Sequence, residues 1–128
     1  MGELTSLVDT SVLIGAPELD DAAKEGSWAV SAITLGELHA GVLLATHGAT
    51  QAGRLQRLAD VLSIVPVIDV GRSVAACYGE LRMTAGRAPS NDLWIAATAL
   101  AHDLELVTRD ERQASLPLVR TCLIAAGR

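Results

Sequence analysis

The stretch Leu4-Thr5-Ser6-Leu7-Val8-Asp9-Thr10-Ser11-Val12-Leu13-Ile14 decides the fold. Its first five residues form a short extended run, Asp9-Thr10-Ser11 breaks it, and Val12, Leu13 and Ile14 carry on into a short helix. A strand that stops at polar residues and turns at once into a helix is the opening unit of an α/β chain.

The same unit recurs downstream. Residues 27–31, with Trp28 and Val30, read as a second strand, after which Ser31 or Thr34 opens a helix with Leu35, Leu38 and Val42 on one stripe. Gly48-Ala49-Thr50 interrupts the pattern before a helix whose Ala52, Leu55, Leu58, Ala59 and Leu62 form an apolar face beside Arg54 and Arg57. These two helices read as a hairpin or arm, and their stripes as core faces. Residues 64–68 are a strand candidate that Pro66 excludes from a central, fully paired position. Residues 70–85 read as a helix with Val74, Cys77, Tyr78 and Leu81 inward, and Ser90 or Asn91 as the cap of a helix carrying Ile95, Ala96, Ala99 and Leu100. Residues 105–108 and 118–124 supply the last strands. Alternation of this kind predicts a three-layer α/β/α sandwich with a central, mainly parallel sheet.

At 128 residues and 50% hydrophobic content, the chain suits one domain spanning residues 1–128. Aromatic residues make up only 2%, so Leu, Val, Ile and Ala must fill the core. Cys77 and Cys122 read as buried free thiols of a reducing compartment, and His39, His47 and His102 lack zinc-site spacing. No basic segment precedes an apolar run at the amino terminus, and no apolar stretch approaches the roughly eighteen residues of a membrane span, so a cytoplasmic location is expected. The net charge of -5 gives a polyanion no general attraction. Distribution matters more: Glu18, Asp20, Asp21 and Glu25 crowd one early segment with Lys24, whereas arginines are spread through later segments, where they can frame a positive rim.

Asp9, Glu37, Asp92 and Asp110 each fall at a predicted boundary between sheet and helix. In a parallel α/β sheet the carboxyl ends of the strands converge on one crevice, so four acids far apart in sequence can meet there. Unneutralised, they would repel one another and raise some of their pKa values. A hard divalent cation, Mg²⁺ or Mn²⁺, removes that conflict, orients water and stabilises charge on phosphorus. Each acid also has a local reading. Asp9 suits a helix cap, Thr34-Leu35-Gly36-Glu37 fits a capping box unless Ser31 is the cap, Asp92 complements a helix dipole, and Asp110 can cap residues 111–114. Thr10, Ser11, Ser90, Asn91 and Thr108 adjoin these acids, and Ser11 and Thr108 are the best candidates for supporting the site.

The segments Leu7–Ile14, Thr34-Leu35-Gly36-Glu37-Leu38, Asn91–Leu100 and Leu106-Val107-Thr108-Arg109-Asp110 resemble, in this order, the PIN-domain family, above all its VapC toxins of bacterial toxin-antitoxin modules. The resemblance implies a PIN-like sandwich and an Mg²⁺- or Mn²⁺-dependent endoribonuclease that cuts transfer or ribosomal RNA and so inhibits translation. By position it implies an acidic constellation of Asp9, Glu37, Asp92 and Asp110, with the metal on Asp9, Asp92 and Asp110. It also implies a homodimer and a VapB-type antitoxin whose carboxyl-terminal segment covers the cleft. One departure concerns the fourth acid: many relatives follow it with an Asp-Phe pair, whereas this chain reads Glu111-Arg112-Gln113-Ala114, which puts a second metal in doubt. Two other readings stand beside this one. A catalytically inactive PIN-like module would bind RNA or protein without turnover. An aspartate-dependent phosphohydrolase would use Asp9 as nucleophile, but Ser11 stands where such sites place a second acid.

Overall fold

The computed structural model describes residues 3–14 and 27–124. The early acids Glu18, Asp20, Asp21 and Glu25 lie outside the described residues, as does Lys24.

Strand β1 (Ser6–Val8) leads into α1 (Thr10–Leu13), and β2 (Trp28–Ser31) into α2 (Ala32–Leu44). Helix α3 (Gly48–Ile64) then precedes β3 (Val67–Ile68). Helices α4 (Arg72–Ala85) and α5 (Ser90–Ala101) follow, then β4 (Glu105–Thr108), α6 (Glu111–Ala114) and β5 (Thr121–Leu123). The sheet order is β3-β2-β1-β4-β5, and every described pairing is parallel. The chain builds outward from β1 to β3, then returns to the other side of β1 with β4. The crevice at this reversal, outside the carboxyl ends of β1 and β4, is where open parallel sheets bind ligands.

Neighbouring strand residues divide between two cores, which is what makes three layers. Leu7, Ala29 and Leu106 pack with Val74 and Leu81 of α4 and with Leu93, Ile95 and Ala96 of α5. Their neighbours Val8, Trp28 and Val30 pack on the opposite face with Leu13 of α1 and Val61 of α3, joined by Val65. This is the period-two alternation of a strand buried on both sides. It also predicts that Asp9 and Thr108, two residues beyond Leu7 and Leu106, leave the sheet on the α5 side.

Several local expectations are corrected. Pro66 does hold β3 to the sheet edge, but Ile64 belongs to the end of α3, and the strand is only Val67–Ile68. In α3, Leu58 and Val61 are buried whereas Leu55 and Leu62 are exposed, and it is Val61 that packs with Val8, Trp28 and Val30 of the sheet. Cys77 and Cys122 are free but half-buried. Neither Ser90 nor Asn91 caps α5; its N-cap is Pro89, with no side-chain cap bond.

Helix α2 is capped by Ser31, whose Oγ accepts from the Thr34 amide at 3.0 Å, and not by a Thr34–Glu37 box. Glu37 is thereby free of any capping duty. Ser31→Ala should therefore lower unfolding free energy by about 1 kcal/mol, while Glu37→Gln, which keeps an acceptor for its hydroxyl partner, should leave the urea midpoint nearly unchanged.

Candidate functional site at the carboxyl ends of the central strands

Asp9 is the first residue past β1 and is 5% exposed. Its amide still donates to Val107 O at 2.9 Å, which continues the β1–β4 register and fixes the backbone. Two hydroxyls then meet on one carboxylate oxygen: Ser11 Oγ donates to Oδ2 at 2.8 Å and Thr108 Oγ1 at 2.9 Å. Oδ1 has no hydrogen bond among the described residues. Thr108, fully buried, also accepts from the Asp110 amide at 3.0 Å, so one side chain ties the first acid to the backbone of the fourth.

Glu37 sits in the second turn of α2 and is held on both oxygens. Thr10 Oγ1 donates to Oε1 at 2.6 Å, and Asn91 Nδ2 to Oε2 at 3.4 Å. Thr10 and Asn91 thus bring α1 and α5 to the carboxylate of α2. Asp110 has a structural occupation as well: its Oδ1 accepts from the Arg112 amide at 2.9 Å and caps α6, with the Arg112 guanidinium 3.9 Å away.

Asp92, in the first turn of α5, has no such occupation. Its carboxylate accepts no hydrogen bond from the described residues. The chemistry of its own N-cap is the reason: Pro89 has no N–H, so Asp92 cannot reach back as the acid of a capping box. Burial pushes the Asp92 carboxyl above the ordinary aspartate range, and the negative charges of Asp9, Asp110 and Glu37, in that order, push it further; Arg112 partly opposes them. All four acids therefore share one field.

They share it without crowding. Among the described residues, no three His, Cys, Asp or Glu side chains stand close enough to hold one ion between them. The donor set is nevertheless oxygen only, and it suits a hard cation that keeps most of its water and takes one or two carboxylates, which is how Mg²⁺ is usually held. The uncompensated charge on Asp92 and the free Oδ1 of Asp9 fit such an ion.

Two neighbours escaped sequence reasoning. Gln113, 1% exposed, donates from Nε2 to Asp92 O at 3.0 Å, tying α6 to the backbone of the third acid. A groove of about 440 Å³ adjoins the site, sharing Glu37 with it and lined by Leu13, Leu38, Gly41, Arg54 and Arg57. No periodicity could have announced Gln113; the Arg54 and Arg57 pair was visible as basic residues beside an apolar stripe.

Comparison with known proteins places the site in context. The PIN domain family matches the chain over residues 6–118. The chain is similar to ribonuclease VapC4 of Mycobacterium tuberculosis, with 40% identity over 125 residues that span 93% of this chain and 96% of the relative. Ribonuclease VapC5 of the same organism is 36% identical over 119 residues, 86% of each chain. The crystal structure of VapBC-5, a member of the VapBC family of toxin-antitoxin systems from Mycobacterium tuberculosis, matches with a TM-score of 0.78 and 32% identity, covering 95% of this chain and 98% of that one.

The raised Asp92 carboxyl has a consequence for stability. Between the ordinary aspartate value and the raised one, the folded chain holds more protons than the unfolded chain, so the metal-free protein should lose stability as pH rises through that window. Thermal melts across the acid range, with EDTA present, should show this slope for the native chain and a smaller one for Asp92→Asn. Added Mn²⁺ should raise the melting temperature most above the window, where the carboxylates are charged.

Proposed function

This chain belongs to the PIN-domain family as a VapC-type ribonuclease toxin, and we propose that Asp9, Glu37, Asp92 and Asp110 are the acids with which it hydrolyses RNA in the presence of Mg²⁺ or Mn²⁺. The observation that carries the assignment is the field at Asp92, whose carboxyl is pushed up by burial and by the charges of the other three acids. Perturbation of this kind, in a crevice at the strand ends, marks a site suited to chemistry.

Asp9, Asp92 and Asp110 are the residues that would hold the ion, in part through its own water molecules, since no three acids close around one point among the described residues. When bound, a divalent cation offsets their repulsion, polarises a phosphoryl oxygen and lowers the pKa of an attacking water. The chain supplies the positioning. Ser11 and Thr108 fix Asp9 through Oδ2, so that Oδ1 would be the oxygen left to face an ion. Glu37, kept in place by Thr10 and Asn91, orients the water that attacks in line with the departing 3′ oxygen. Hydrolysis by water leaves a 5′-phosphate and a 3′-hydroxyl.

The physiological partner of this reading is a VapB-type antitoxin whose carboxyl-terminal segment covers the cleft. The groove through Leu13, Leu38 and Gly41 supports it, because Glu37 belongs to both groove and cleft, and Arg54 and Arg57 attract acidic residues of an incoming segment. The same arginines, with Arg112 beside Asp110, supply local positive charge for RNA despite the net charge of -5. Transfer or ribosomal RNA as target, a homodimer as the working unit, one domain over residues 1–128 and a cytoplasmic location complete the proposal. Among the described residues no helix is long and apolar enough to cross a membrane.

Purified protein incubated with cellular RNA and Mn²⁺ should yield new 5′-phosphate ends on sequencing. Asp9→Ala and Asp92→Ala should lower the rate by at least roughly 100-fold, the upper end of what losing an outer-sphere partner costs a metal site, while melting cooperatively. Exclusive 2′,3′-cyclic phosphate ends would reject water as nucleophile, and metal binding without turnover would favour the inactive binding module. A second measurement addresses the groove. A Cβ at Gly41 meets nothing within 4 Å, so a larger side chain there starts into open groove, and Gly41→Leu should weaken the antitoxin complex while the protein still melts cooperatively.

A further inference from the structure

Helix α5 presents Asp92, yet its own first turn does little to fix where the helix begins. Its N-cap is Pro89, which offers no side-chain acceptor and no N–H for reciprocal capping. The anchoring comes from the preceding helix. Arg82, in the last turn of α4, donates from Nη1 to Gly86 O at 2.7 Å and to Ala88 O at 2.8 Å. Its Nη2 reaches Ser90 Oγ at 3.1 Å and Tyr78 Oη at 3.0 Å, and its Nε reaches the same phenol oxygen at 3.3 Å. One guanidinium has five N–H donors, and all five are engaged.

These contacts bracket the turn before α5 and its first residue. Gly86 closes α4 at φ +67°, a conformation in which a side chain would be strained, and Arg82 holds the carbonyl of that same residue. Tyr78 extends the clamp further, because its ring stacks on Trp94 with centroids 3.9 Å apart and planes 13° from parallel. Arg82 thus grips Gly86, Ala88 and Ser90 directly and, through the phenol, the ring two positions beyond Asp92. Asn91, between the gripped Ser90 and Asp92, donates to Glu37.

We propose that Arg82 is a positioning residue for the site, substituting for the missing cap of α5 and so fixing where Asp92 and Asn91 stand relative to Asp9 and Glu37. The inference rests on the reading of Asp92 as a metal-holding acid. A guanidinium suits the task because its donors form a rigid planar fork, whereas a lysine ammonium offers three donors around a point. A staple that served only stability would tie the two helices together without affecting the ion.

Arg82→Met keeps the aliphatic stem and removes every donor; Arg82→Lys restores part of them. Three quantities are measured well below each variant's melting temperature. They are the Mn²⁺ dissociation constant of RNA-free protein by electron paramagnetic resonance, kcat and KM on RNA, and amide exchange of metal-free protein at Leu93, whose bond to Pro89 O at 3.1 Å starts α5. Arg82→Met should weaken Mn²⁺ binding by about 10-fold or more, lower kcat with KM little changed, and speed Leu93 exchange, with Arg82→Lys intermediate. A lowered melting temperature with native Mn²⁺ affinity and native kcat would overturn the proposal. Where Arg82→Met does not fold, Tyr78→Phe and Ser90→Ala each remove part of the clamp and carry the same expectation at smaller size. If Asp92→Asn binds Mn²⁺ as tightly as the native chain, the functional reading of Asp92 falls, while unchanged Leu93 exchange in Arg82→Met would refute the anchoring itself.

Discussion

The hydrogen bond from Thr108 to Asp9 joins the ends of the two strands between which the sheet reverses its order of assembly. Everything at the site depends on that closure. It exists because Leu7 and Leu106 are register partners and both face the α5 core, so the next side chains on the same face, Asp9 and Thr108, emerge side by side. The apolar alternation of two short strands sets the meeting point of an acid and a hydroxyl, and Thr108 passes that order on to the backbone of Asp110.

The four acids then differ in how much of their charge is already committed. Asp9 gives one oxygen to two hydroxyls, Glu37 both oxygens to Thr10 and Asn91, and Asp110 one oxygen to the cap of α6. Asp92 commits none. Its carboxyl is also pushed above the ordinary aspartate range, by burial first and by the charges of the other carboxylates second. A site arranged in this way is unfavourable when empty of cations, and that cost supplies part of the reason a cation binds.

Around the acids, support comes from side chains that act on backbone. Gln113 holds the carbonyl of Asp92 from α6, and Arg82 holds the turn that precedes it from α4. Helix α5 is thus gripped at its first turn from two directions, and its remaining length, Leu93 to Ala99, is almost wholly buried against the sheet. Rigid presentation of Asp92 follows from packing along the helix and from polar contacts at its start.

The chain's own letters were sufficient for the α/β architecture, because Leu7-Val8-Asp9 and Glu105-Leu106-Val107-Thr108 carry strand signals that end on polar residues, and because the helices have apolar stripes and glycine breaks. They also pointed to Asp9, Glu37, Asp92 and Asp110, whose residue types and boundary positions are local properties. Locally ambiguous features were settled only by the tertiary structure. Ser31 and Thr34 were equal candidates for the cap of α2 until backbone geometry chose Ser31, and Leu55 and Leu62 looked like core because periodicity shows a face without showing what covers it. Gln113 and Arg82 left no sequence signal at all. Their partners are carbonyls and hydroxyls that any residue or turn can offer, and such contacts acquire an address only when packed elements bring them within hydrogen-bond reach.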